Sequence, residues 1–124
     1  MTAQIISVGT ELLLGDILNT NAQFLSRELA ALGISVLQQH TVGDNHGRLE
    51  ELVEEAKLRS DILIFTGGLG PTEDDLTKET VAACFHDVLR FDEEAYRQIQ
   101  DHYARTGRTM TPNNRKQAMV PVRG

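Results

Sequence analysis

Asp61-Ile62-Leu63-Ile64-Phe65-Thr66-Gly67-Gly68-Leu69-Gly70-Pro71-Thr72-Glu73-Asp74-Asp75 reads as a short apolar strand running into a glycine-rich loop, with a helix predicted directly behind it over 76–85. Strand, glycine loop and helix in that order form half of a parallel α/β unit. The near-continuous apolar run Ile62-Leu63-Ile64-Phe65 suits a strand covered on both faces, which predicts a central place in a sheet.

Upstream the same alternation recurs. Gln4-Ile5-Ile6-Ser7-Val8, stopped by Gly9, predicts a first buried strand. Leu25, Leu29 and Leu32 recur at i, i+4 and i+7 in a helix predicted from about residue 20, and Gly33 ends it. A second strand is predicted over 34–42. Leu49, Leu52, Val53 and Ala56 then form the apolar stripe of another helix, while Glu50, Glu51, Glu54 and Glu55 take its solvated face. Downstream, Asp92 can cap a helix with Tyr96, Ile99 and Tyr103 on one stripe, ending near Gly107. Pro112 at a first helical position opens a last short helix through 118. Three strands alternating with helices predict an α/β fold: a three-layer αβα sandwich with a mainly parallel sheet. With strand order 2-1-3, the turns after strands 1 and 3 face each other across a crevice beyond their carboxyl ends.

The 124 residues fit one domain. Lys and Arg number 12 against 18 Asp and Glu, a formal charge of −6 and a pI near 5.1, which argues against nucleic acid and anionic membranes as partners. No apolar run approaches the length of a membrane span and no signal peptide is read at the start, so the cytoplasm is the expected location. Cys84 is the lone cysteine and is expected in the core. His40, His46, His86 and His102 share no ligand spacing. The charge is uneven: residues 1–104 carry 7 basic and 18 acidic groups, or −11, whereas residues 105–124 carry five basic groups and no acid, or +5. That basic end is either a solvated tail or an arm that meets a phosphate or an acidic neighbour.

Glycines 67, 68 and 70 let backbone N–H groups approach an anion closely, and the following helix adds its positive end. The loop is a phosphate cradle by chemistry, although a plain tight turn would need the same glycines. It is not a Walker A loop, because no Gly-Lys-Ser/Thr follows, and it lacks dinucleotide-binding glycine spacing. Glu73, Asp74 and Asp75 beside such a cradle would repel a phosphate unless a divalent cation of the Mg²⁺ type lay between; alternatively they simply cap the helix. Lys78 can neutralise an acid or touch a phosphate, or form a surface pair with Asp74. In the first turn, Asn19 and Asn21 either cap a helix or read a ligand hydroxyl or base edge. Leu12, Leu13 and Leu14 in a loop predict packing over the sheet edge or against a second copy, hence a homo-oligomer.

Gly9-Thr10-Glu11-Leu12-Leu13-x-Gly15 with Asn19-Thr20-Asn21, then Thr66-Gly67-Gly68-Leu69-Gly70-Pro71-Thr72-x-Asp74-Asp75, then Asn113-Asn114-Arg115-Lys116-Gln117-Ala118-Met119-x-Pro121 together resemble the CinA (competence/damage-inducible protein A) family. The match is to its N-terminal domain, a relative of the molybdopterin-binding MoaB, MogA and MoeA domains, and spans essentially the whole chain. The resemblance implies residues 1–124 as a single such domain ending before its last strands, without the family's C-terminal deamidase domain. It implies a phosphorylated nucleotide or pterin bound at the strand ends and metal-dependent hydrolysis of ADP-ribose. Thr66, Gly67, Gly68 and Gly70, continued by Pro71 and Thr72, would cradle the pyrophosphate. Glu73, Asp74 and Asp75 would hold the metal and orient water as the catalytic groups. Gly9, Thr10, Glu11, Gly15, Asn19 and Asn21 would line the opposite turn, and Lys78, Asn113, Arg115 and Lys116 would offset phosphate charge. The alternative is a non-catalytic nucleotide- or molybdopterin-binding and oligomerisation module. Leu69 replaces the threonine of the molybdopterin branch's Thr-Gly-Gly-Thr-Gly, and Asp74-Asp75 replaces its Arg-Asp, which sets this chain apart from pterin adenylylation.

Overall fold

β1 (Thr2–Val8) is the most enclosed segment of the chain, with Ala3 through Val8 all buried. The computed structural model describes residues 1–123. In it β1 lies between β2 (Ser35–Val42) and β3 (Ile62–Thr66), parallel to both, giving the order β2-β1-β3. The period-2 alternation of a strand sends Ala3 and Ile5 to one face, against Ala22 and Leu29 of α2 (Thr20–Ala31). Ile6 and Val8 go to the other face, against Leu49, Val53 and Ala56 of α3 (His46–Ala56) and Cys84 of α4 (Thr77–Cys84). Helices therefore cover both faces, as the three-layer reading predicts. Full burial of Ile5 and Ile6 contributes roughly 1.5–3 kcal/mol each.

The predicted strand order holds, but the place of the most apolar strand does not. β3 is an edge strand among the described residues, and all five of its residues are half-buried. The central strand is instead β1, which tolerates Gln4 and Ser7 because each finds a partner. Gln4 donates to Ser60 Oγ at 2.8 Å and accepts from His40 Nε2 at 2.7 Å, and Ser7 Oγ accepts from Asn19 Nδ2 at 2.8 Å.

Helix ends follow their capping residues. Asn19, Asn45 and Asp92 each accept from main-chain N–H groups in the first turn of α2, α3 and α5 (Glu93–Thr106). Gly107 closes α5 in the left-handed region at φ 69°. Residues Pro112–Ala118 form a 3₁₀ helix rather than an α-helix, begun by Asn114 Oδ1, which accepts from Thr111 N at 2.9 Å. Three elements lie outside the sequence expectations: the one-turn helix α1 (Thr10–Leu13), and β4 (Leu89–Phe91) paired antiparallel with β5 (Met119–Pro121). They are too short for periodicity to register. No helix among the described residues is long and apolar enough to cross a membrane.

Candidate functional site

The turns leaving β1 and β3 meet, as the strand order requires. Gly67 packs so tightly on the end of β1 that a Cβ there would lie 2.0 Å from the Val8 carbonyl oxygen, with φ at +83°. Gly68, at φ +65°, leaves no room for a Cβ beside Thr77 Oγ1. Thr77 fastens the loop, its hydroxyl donating to Gly67 O at 2.8 Å and its N–H to Gly68 O at 3.2 Å. These two glycines are therefore required first by close packing of the fold, and that packing sets Gly67 and Gly68 against Val8 at the carboxyl end of β1.

Each turn holds an anion of its own. Asp75 Oδ2 accepts from Thr72 N at 3.0 Å and from Thr72 Oγ1 at 2.6 Å, and the Gly70 N–H also favours its charge. In the opposite turn, Asp44 Oδ2 accepts from Thr10 Oγ1 at 3.2 Å and Thr10 N at 3.4 Å. Asp44, which no sequence motif singles out, follows β2 and reaches Thr10 only through the 2-1-3 sheet order. A threonine N–H and hydroxyl aimed at one oxygen in each turn is a donor arrangement for an anion.

The Asp75 carboxyl lies below the usual carboxylate range, chiefly because the Thr72 hydroxyl donates to it; partial burial opposes, and the Thr72 and Gly70 amides and Lys116 reinforce. A depressed folded-state value contributes stability that is present above the ordinary carboxylate range and is lost as pH falls through the lowered value. At neutral pH, Asp75→Asn should lower hydrogen-exchange protection of the Thr72 amide roughly tenfold. The difference from wild type should shrink toward zero in acid; a pH-independent difference would rule out the charge as its source.

The carboxylates of Glu73, Asp74 and Asp75 do not converge. Among the described residues no group of three or more His, Cys, Asp or Glu side chains could hold a metal ion. Asp75 is turned inward onto Thr72, while Glu73 and Asp74 are exposed. Glu73, Asp74 and Asp75 therefore do not by themselves make a three-carboxylate cation site.

Several expected ligand groups serve the fold instead. Lys78 reaches neither an acid nor a phosphate seat: its ammonium donates to the carbonyls of Lys116, Gln117 and Met119 at 3.0, 3.2 and 2.8 Å, closing the end of the 3₁₀ helix. Burial pulls its pKa down. Lys116 donates to the carbonyls of Thr72 and Asp75 and so ties the 3₁₀ helix to the loop. Arg115 turns away, its guanidinium 3.8 Å from the centroid of the Phe91 ring. Asn19 is a cap, and Asn21, exposed two residues further on as the second residue of α2, caps no helix among the described residues. Gly15 stands open at φ +80°, and Glu11 folds its carboxylate back over Gly9.

Pro71, Thr72 and Glu73 face Asn113 and Lys116 across a cavity of about 430 Å³ between the loop and the 3₁₀ helix, within the range of small-molecule sites. The basic end of the chain is dispersed: Arg108 lies over Tyr103, Arg123 donates to the carbonyls of Phe85 and His86, and Lys116 alone of these groups bonds to the loop among the described residues. Cys84 is buried and its thiol is pushed up to about 11, chiefly by burial, as expected of an inert core residue. Of the leucine run, Leu12 is half-buried, whereas Leu13 and Leu14 are 49% and 69% exposed rather than packed over the sheet edge.

Residues 4–122 match the family described as "Probable molybdopterin binding domain". A competence-damage inducible protein of Bacillus cereus is 60% identical over 120 residues, which are 97% of this chain and 29% of that protein. The chain thus spans less than a third of the curated relatives it matches. A crystal structure of the protein CinA of Thermoplasma acidophilum, with function given as unknown, superposes with TM-score 0.86 at 36% identity, covering 98% of this chain and 71% of that one. The tungsten cofactor synthesizing protein MoaB of Pyrococcus furiosus shares the fold, with TM-score 0.67 at 21% identity over 97% of this chain and 78% of its own.

Proposed function

Because the chain belongs to the molybdopterin-binding domain family, in its CinA branch, we propose that it is a binding module for a phosphorylated pterin or nucleotide, seated where the turns after β1 and β3 meet. The observation that carries this reading is the pair of internal carboxylates, Asp44 on Thr10 and Asp75 on Thr72, each occupying donors suited to a phosphate oxygen. The amides of Gly68 and Leu69, in the loop that leads to Thr72, donate to no protein acceptor among the described residues. The phosphate takes those amides and competes with the two carboxylates for the threonine donors.

A narrower reading, Mg²⁺-dependent hydrolysis of ADP-ribose, draws on the CinA resemblance and the run Glu73-Asp74-Asp75. It would need carboxylates that stand apart here to gather on one cation. Calorimetric titration with ADP-ribose and with GMP, without and with Mg²⁺, while AMP release is followed, separates the two. Binding without metal and without turnover is the expected result. Mg²⁺-dependent AMP formation would replace this reading with the hydrolytic one.

Asp75→Asn gives an independent check. Removing a like charge near the bound phosphate is worth about 1 kcal/mol at 4 Å in water. Affinity for the ligand should therefore rise roughly fivefold in the metal-free titration, whereas loss of affinity would mean that the carboxylate helps to hold the ligand.

A further inference from the structure

Glu79 lines the cavity between the glycine loop and the 3₁₀ helix, and its Oε2 is buried with no hydrogen-bond partner among the described residues. A buried acceptor without a donor is costly, and native structures rarely leave one without a reason. Neighbouring cations are engaged elsewhere: Lys78 is spent on three carbonyls and Lys116 on two. The cavity walls beside Glu79 include Pro71, Leu76 and Pro112, apolar groups of the kind that cover the faces of a planar ring. Asn113 adds an amide at the rim.

We propose that Glu79 is a specificity-determining residue that accepts N–H donors from the 2-amino-4-oxopyrimidine edge of a ligand ring, the edge shared by guanine and pterins. That edge presents a ring N–H next to an exocyclic NH₂, two donors spaced for the two oxygens of one carboxylate. The last torsion of a glutamate is broad, so a small rotation turns Oε2 toward the opening. Adenine presents a ring acceptor beside its amino group, which would set a lone pair against the carboxylate. A site built around a buried hydrogen-bonding group rejects a ring that leaves the group unpaired.

This inference rests on the phosphate-binding reading, and its test separates the two. GMP, IMP and AMP carry the same ribose and phosphate, and IMP keeps the ring N–H without the amino group. Calorimetry on wild-type chain should rank GMP at least tenfold tighter than AMP, with IMP between them. Dihydroneopterin phosphate, titrated alongside, should also exceed AMP, and its ranking against GMP identifies which ring source is preferred. Glu79→Gln, checked for an unchanged thermal midpoint, should bring GMP to within about threefold of AMP, by weakening GMP and by relieving the lone-pair repulsion against AMP. Equal affinity for GMP and AMP in wild type, or a GMP preference that survives in Glu79→Gln, would overturn the assignment and leave the phosphate seat standing. Failure of all four compounds to bind would overturn both.

Discussion

Gly67→Ala is expected to cost at least about 3 kcal/mol of stability, a large share of what a small domain has. A left-handed backbone conformation costs an L-residue roughly 1–2 kcal/mol. At φ +83° the new methyl would also lie 2.0 Å from the Val8 carbonyl oxygen. That contact is with backbone, so no side-chain rotation relieves it, and the ends of β1 and β3 must move apart. The same movement would separate the two turns that build the binding site, so ligand affinity should fall together with the urea midpoint. Gly15→Ala is the matched control: its φ is +80°, but its Cβ meets nothing within 4 Å. It should cost about 1 kcal/mol and leave binding intact. Equal costs at the two positions would show that close packing against β1 is not what the loop glycine is for.

Lys78→Met is the second large effect, expected at about 3 kcal/mol. Methionine keeps most of the apolar stem, so packing is largely preserved and the loss falls on the ammonium. Three carbonyls at 2.8–3.2 Å share that ammonium, and hydrogen bonds to a charged group are worth about 1.5–3 kcal/mol each without being additive. Burial draws the lysine's pKa down, and the nearby Glu79 charge opposes that shift. The urea midpoint should fall with an unchanged slope, and the amides of the 3₁₀ helix should lose hydrogen-exchange protection before those of β1. A cost below about 0.5 kcal/mol would mean that those carbonyls are satisfied without Lys78.

Local signals in the sequence carry far. Asp92 and Gly107 bracket α5 because a cap and a left-handed stop are decided by residues adjacent to them. Parallel crossovers do not fix the strand order by themselves; the expected 2-1-3 arrangement is the one observed, and with it the Gly9 and Gly67 turns meet. The apolar run of β3 misleads because burial on both faces is decided by which helices lie over a strand, and α2, α3 and α4 cover β1. The chemistry of the site is legible in type but not in assignment. Lys78, Arg115 and Lys116 have the charge to meet a phosphate, yet the nearest acceptors in the fold are carbonyls and an aromatic ring. Asp44 and Glu79 escape sequence reading for the opposite reason. Each sits outside any motif, and its significance comes from a neighbour more than 30 residues away in the chain, Thr10 for Asp44 and Pro112 for Glu79.

The central claim is that the loop after β3 seats a phosphate group. The most direct test is a backbone-amide NMR titration of the chain with inorganic pyrophosphate, which carries no ring or sugar to bind elsewhere. The account predicts saturable shifts at Gly68, Leu69, Gly70 and Thr72, joined by Thr10 across the crevice, all fitting one dissociation constant. Shifts confined to the basic stretch 105–116, or unsaturable shifts scattered over the surface with the loop amides unmoved, would contradict it.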